Sequence, residues 1–190
     1  LPQVDTVLLT HMHPDHSNGL SDVNGKRLFP NAEIVVSEKD IDYWHDDSAM
    51  AKANENQRVR YFEGARFQIA PYMDRLKPAM GEVFPNVRAV DLSGHTPGHT
   101  GYMIESENDS LLVWGDICHV PDIQVRRPEV TMVFDADPEA AINTRRRTFD
   151  MVSSDKVLVA GMHLHFPGFS HVIANRDGYR MVPESWAFTT

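Results

Sequence analysis

The run His11-Met12-His13-Pro14-Asp15-His16 sets three imidazoles and a carboxylate within six residues, directly after the stretch Val4-Asp5-Thr6-Val7-Leu8-Leu9-Thr10. That stretch, rich in β-branched residues, reads as a buried strand. The polar cluster therefore stands at a strand end, where polar side chains are costly to bury unless something satisfies them. A lone surface histidine needs no explanation, but four potential ligands at the end of a core strand do, and a bound metal supplies one. In an extended segment His11 and His13 point to the same side, while Asp15 and His16 lie beyond the turn at Pro14. The spacing implies two neighbouring metal sites.

Imidazole nitrogen and carboxylate oxygen suit a zinc-like ion, and a catalytic site keeps one position for water. Four side chains cannot fill two such sites, so further ligands must come from later in the chain. Three more strand readings end in polar loops. Val87 to Leu92 leads into Ser93-Gly94-His95-Thr96-Pro97-Gly98-His99, Ser110 to Trp114 into Gly115-Asp116, and Lys156 to Gly161 into Met162-His163-Leu164-His165. Strand ends that converge on one edge of a sheet are where rigid scaffolds place chemistry. His95 or His99, Asp116, and His163 or His165 are thus the remaining candidates, and the two oxygens of Asp116 could be shared between cations. Ions about 3.5–4 Å apart favour hydrolysis. No GxSxG elbow occurs to support a serine nucleophile instead.

The rest of the chain sets limits. Its 190 residues, 42% hydrophobic and 24% charged, fit an ordinary α/β globular protein of about one domain. No unbroken apolar run is long enough to span a membrane. The balance of 18 basic against 27 acidic residues, net −9, repels nucleic acid. Arg145-Arg146-Arg147 reads as the solvated face of a helix that Asp137 caps and that runs to about Val152. Ala32 to Ser37 reads as a strand, Glu38 to Gln57 as one amphipathic helix, and Tyr61 to Phe84 as an irregular insertion. Glu107-Asn108-Asp109 turns a hairpin. Phe62, Phe67, Tyr72, Phe84, Phe166 and Phe169 are candidates for the wall of an apolar pocket. The single Cys118 can form no internal disulfide and is an unconvincing nucleophile. The chain starts without Met, basic segment or apolar leader, so a preceding segment is expected and localisation stays open.

With these motifs assembled, the sequence resembles the metallo-β-lactamase superfamily. His11 to His16 matches its HxHxDH motif, and Gly94-His95-Thr96-Pro97-Gly98-His99, Gly115-Asp116 and His163 follow in the family's order. The resemblance implies an αβ/βα sandwich in a single hydrolase domain over residues 1–190, with strands expected before Val4 that this chain lacks. It implies two divalent ions, zinc first, with manganese, cobalt or iron as alternatives. His11, His13 and His95 would hold one, Asp15, His16 and His163 the other, and Asp116 would bridge them. Asp15 and Asp116 are also the implied catalytic carboxylates, with attack by a hydroxide held between the ions. His163-Leu164-His165-Phe166-Pro167-Gly168 and Gly178 to Pro183 resemble the methyl parathion hydrolase group, related to quorum-quenching lactonases. That group implies a homodimer acting on small neutral phosphotriesters, aryl esters or lactones, with no nucleic-acid or membrane partner. Related lactonases carry Tyr three residues after the bridging Asp, where this chain has His119, which puts typical homoserine lactonase activity in doubt. A glyoxalase II-like thiolester hydrolase and a non-catalytic metal-binding fragment are the rival readings.

Overall fold

The computed structural model describes residues 1–185, which divide into two compact units, residues 1–80 and the described residues from 81 onward. Among the described residues, no helix is long and apolar enough to cross a membrane.

The first unit holds a parallel sheet of three strands in the order β1 (Thr6–Leu8), β2 (Glu33–Val36), β3 (Leu76–Pro78). β1 is shorter than its β-branched run, although the Leu9 N–H still donates to the Val35 carbonyl at 2.9 Å and carries the pairing one step towards His11. Pro78 lacks an N–H and closes the edge strand β3, a position a proline tolerates. The histidine run turns into α1 (Pro14–Ser17), with Pro14 in the first turn where its missing N–H costs nothing.

The single helix expected over Glu38 to Gln57 is instead three: α2 (Glu38–His45), α3 (Asp47–Lys52) and α4 (Glu55–Gln57). Two capping side chains break it. Asp46 takes an extended conformation and accepts from the Ser48 N–H at 2.7 Å, and Asn54 forms a reciprocal capping box with Gln57. Short polar side chains compete in this way with helix continuation. The insertion expected to be irregular is mostly helical: a π-helical segment Arg58–Glu63, α5 (Gly64–Ile69) and a 3-10 segment Ala70–Arg75 precede β3. Phe62 and Tyr72 belong to the core of this unit, packed with Leu9, Met12, Leu20, Ile34, Trp44 and Ile69. The Tyr72 hydroxyl donates to the Leu20 carbonyl at 2.7 Å, which satisfies its polar end inside that core.

The second unit contains a seven-stranded sheet: β4 (Glu82–Phe84), β5 (Val87–Asp91), β6 (Thr100–Ser106), β7 (Asp109–Val113), β8 (Leu158–Ala160), β9 (Phe169–Asn175) and β10 (Gly178–Pro183). They lie in reverse sequence order across the sheet. Between β7 and β8 come α6 (Pro121–Gln124) and the long α7 (Pro138–Ser154). The register explains where the loops go. Asp91 pairs with Thr100, Tyr102 with Val113, and Val113 with Ala160 along the one parallel contact, β7 to β8. The ends carrying His95, Asp116 and His163 therefore share one sheet edge. The fourth strand end, after Leu9, belongs to the other sheet, so the expectation of one common edge holds for three loops.

α7 starts as its sequence predicts, with the Asp137 side chain accepting from the Ala140 N–H at 3.0 Å. Its buried face carries Ala141, Thr144, Arg145, Thr148, Phe149 and Val152. Phe149 and Val152 join Leu112, Trp114, Val159 and Val172 in the core. Arg146 and Arg147 are exposed, but Arg145 is 1% exposed. The expected solvated face is thus corrected at Arg145, which faces inward.

Candidate metal centre

In the first unit, His11 and His13 are buried at the exit of β1. Nε2 of His11 stands 3.1 Å from Nδ1 of His13. The other His11 nitrogen meets the Thr10 hydroxyl at 3.1 Å, and the His13 ring packs against Trp44 and Tyr61. The backbone between them is pinned by Asp40, a fully buried α2 carboxylate that accepts from the Met12 N–H at 2.9 Å and the Trp44 indole at 3.1 Å. Sequence reasoning missed Asp40. One turn on, α1 brings Nε2 of His16 to 3.4 Å from an Asp15 oxygen.

In the second unit the centre is Asp116, 3% exposed. One of its oxygens, Oδ2, lies 3.2 Å from Nε2 of His95, and the other, Oδ1, lies 3.4 Å from Nε2 of His163. His95 is oriented from behind, its Nδ1 donating to Asp135 at 2.8 Å. With one proton on Nδ1, the contact between Nε2 and the Asp116 carboxylate is satisfied by a second ring proton or by a cation held between the two. Burial disfavours protonated His95, but Asp116 and Asp135 outweigh it and its pKa is raised. Burial works likewise against ionised Asp135, yet the hydrogen bonds from His95 and the Met132 N–H hold its pKa below the ordinary value. The loop around His95 is tied to the start of α7: the carbonyls of His95 and Gly94 accept from the Ala136 and Asp137 N–H groups at 2.9 and 3.0 Å.

The alternatives left open by spacing divide by partner. His99 donates from Nδ1 to the Leu92 carbonyl at 3.0 Å and accepts at Nε2 from the Asp116 N–H at 2.9 Å. Both its nitrogens are used, and it braces the Asp116 loop. His165 is exposed and pairs with Asp122 at 3.0 Å. His119 is no ordinary loop residue: Nε2 is 3.0 Å from Asp116 Oδ2, and its ring stacks on His163. Cys118 is fully buried, and burial pushes its thiol up to about 12. Of the aromatic side chains considered for a pocket, Phe67, Phe84, Phe166 and Phe169 are exposed. Asp135, like Asp40, gave no signal in the sequence, being a single acid in a loop.

The donor set fits a tetrahedral transition metal. Ligands about 2.0–2.1 Å from such an ion stand roughly 3.3 Å apart along a tetrahedral edge. The four donor pairs above are separated by 3.1, 3.2, 3.4 and 3.4 Å. Second nitrogens held by a hydroxyl or carboxylate are the usual support of such ligands.

The sequence profile of the Metallo-beta-lactamase superfamily matches residues 1–163. An N-acyl homoserine lactonase, AiiA of Bacillus thuringiensis subsp. kurstaki, is 24% identical over 180 residues, 94% of this chain and 60% of the relative. The chain thus spans about 60% of the length of the curated relatives it matches. Among solved structures, the hydrolase AbOPH is 34% identical with a TM-score of 0.89, over 98% of this chain and 66% of the other. AidC, a dizinc quorum-quenching lactonase, is 25% identical with the same TM-score of 0.89 and the same coverage, 98% and 66%. By its profile match and its mixed α/β fold, the chain belongs to the metallo-beta-lactamase superfamily.

Proposed function

We propose that the chain is a metal-dependent hydrolase of small uncharged esters, lactones foremost, that holds two divalent cations through the ligand set its family membership implies. His11, His13 and His95 serve one ion, Asp15, His16 and His163 the other, and Asp116 both. The observation that supports this reading is the orientation of Asp116, whose Oδ2 faces His95 and His119 while its Oδ1 faces His163, so that each oxygen is turned to a different imidazole group, as in a shared carboxylate. Zinc is the first choice, supported by the donor spacing and by the dizinc lactonase among the structural neighbours.

When bound, such ions supply Lewis acidity and bring the pKa of water towards neutrality. The chain's own residues then do the following. Asp135 accepts from Nδ1 of His95 and so selects the tautomer whose Nε2 lone pair can bind an ion. His99 holds the backbone of Asp116. The carboxylate of Asp15, 57% exposed, is open to an attacking water and can take its proton. Lactones rank above phosphotriesters because the curated relatives and the AidC neighbour are lactonases.

The test is metal content per chain by elemental analysis, with hydrolysis of an N-acyl homoserine lactone, an aryl ester, a phosphotriester and a thiolester before and after chelation. About two ions per chain, with lactone hydrolysis lost on chelation and restored by zinc, is the expected result. Preference for the thiolester would transfer the chain to the glyoxalase II-like class. Fewer than one ion in metal-replete protein, with no hydrolysis, would overturn the reading in favour of a non-catalytic fragment.

A further inference from the structure

α7 turns one arginine inward, towards the stretch that leads away from Asp116. The Arg145 guanidinium donates from Nε to the Ile117 carbonyl at 2.7 Å, and from Nη1 to the Pro128 and Val130 carbonyls at 2.7 and 3.0 Å. Ile117 follows Asp116 directly, and Val130 lies five residues before Asp135. Both ends of the segment between the bridging carboxylate and the partner of His95 thus hang on one side chain.

Gln124, also fully buried, holds the same segment from inside. Its Oε1 accepts from the His119 and Val120 N–H groups at 2.7 and 3.0 Å, and its Nε2 donates to the Val130 carbonyl at 3.0 Å. Val130 therefore receives both side chains.

Helix packing alone does not call for a charge here. Burial works against the protonated guanidinium and lowers its pKa, while Asp135 opposes that shift. An alkyl side chain would fill the space without the desolvation penalty, but it could not reach three carbonyls. A planar guanidinium can, because its donors diverge in fixed directions, whereas an ammonium is a single point.

We propose that Arg145, with Gln124, is a positioning residue for the metal centre: it sets where Asp116, His119 and Asp135 stand, and through Asp135 the ring of His95. This rests on the metal-centre reading above. Its measurable consequence is in ion affinity and ligand geometry, not only in stability.

The experiment loads the full chain with cobalt(II), records its visible d–d spectrum, and measures affinity by competition with a chromophoric chelator. Wild type is compared with Arg145→Lys, Arg145→Met and Gln124→Met, with circular dichroism confirming the folded fraction. Loss of outer support costs metal sites roughly 10–100-fold in affinity. We expect about tenfold or more weaker binding and an altered spectrum in Arg145→Lys and in Gln124→Met. If Arg145→Lys does not fold, Gln124→Met decides, since it loosens the same segment without touching α7. Folded variants with wild-type affinity and spectrum, and only a lower unfolding midpoint, overturn the proposal and leave Arg145 a structural clamp. A wild-type chain that binds no cobalt overturns the metal reading itself, and this inference with it.

Discussion

His95 and His99 are four residues apart in one buried loop, yet their partners give them opposite work. His95 keeps one nitrogen for Asp135 and turns the other to Asp116 Oδ2, whereas His99 spends both on backbone groups. Replacing His95 with Ala should therefore remove about one ion per chain with little loss of fold. Replacing His99 with Ala should keep the ligands but strand the Leu92 carbonyl and the Asp116 N–H, at a cost of ~1–3 kcal/mol. Elemental analysis beside urea denaturation separates the two, and equal metal loss in both variants would contradict the division. Cys118 provides a check of a different kind. Burial raises its pKa to about 12 from an ordinary 9.0, so at pH 9 the thiol stays protonated where an exposed one would be half ionised. Because the thiolate is the nucleophile, Ellman's reagent at pH 9 should find no reactive thiol in the native chain and one after unfolding.

At the scale of elements, the strand ends decide the site and the caps decide the helices. Gly94 shows how closely the two meet. Its φ is +140°, and a Cβ there would come within 2.4 Å of the Ala141 backbone nitrogen in the first turn of α7. Gly94→Ala should cost at least ~2 kcal/mol, while Asp137→Ala, which removes only the cap, should cost ~1 kcal/mol. Urea midpoints at constant m-value test the order of the two. The same elements show what was legible. Strands that end abruptly in His or Asp announce themselves, because β-branched runs and clustered imidazoles are both strong patterns. The α7 cap was equally plain. Asp46 and Asn54 were not, since a capping acid or amide looks like any polar residue of an exposed helix until its backbone leaves the helical region. Arg145 was hidden by its neighbours: three consecutive arginines read as surface, although Arg145 lies four residues from both Ala141 and Phe149 and so shares their buried face. Asp40 and Asp135 belong to no local pattern, because each acts on a residue 28 or 40 positions away.

For the molecule as a whole, the centre concentrates polar groups that the fold buries at a cost and that a cation would satisfy. Buried imidazoles and Asp116 oppose the compact state when no ion balances them, and the chain already carries a net charge of −9. Two divalent ions would cancel four of those charges and engage donors that an unfolded chain no longer holds together. Ligand binding confined to the folded state stabilises it by RT ln(1 + [L]/Kd), about 2.7 kcal/mol for one site at a hundred times Kd. For a chain of this length each kcal/mol moves the melting midpoint by roughly 2–4 °C. Zinc at that concentration should therefore raise the midpoint by roughly 5–11 °C for a single occupied site, and more if both sites fill. A chelator should reverse the shift, and magnesium, which prefers octahedral oxygen ligands, should not reproduce it. Differential scanning calorimetry with the two metals and the chelator measures all three arms. A midpoint indifferent to zinc would mean that the donors satisfy one another in the folded chain, and that the cluster is a polar core and not a binding site.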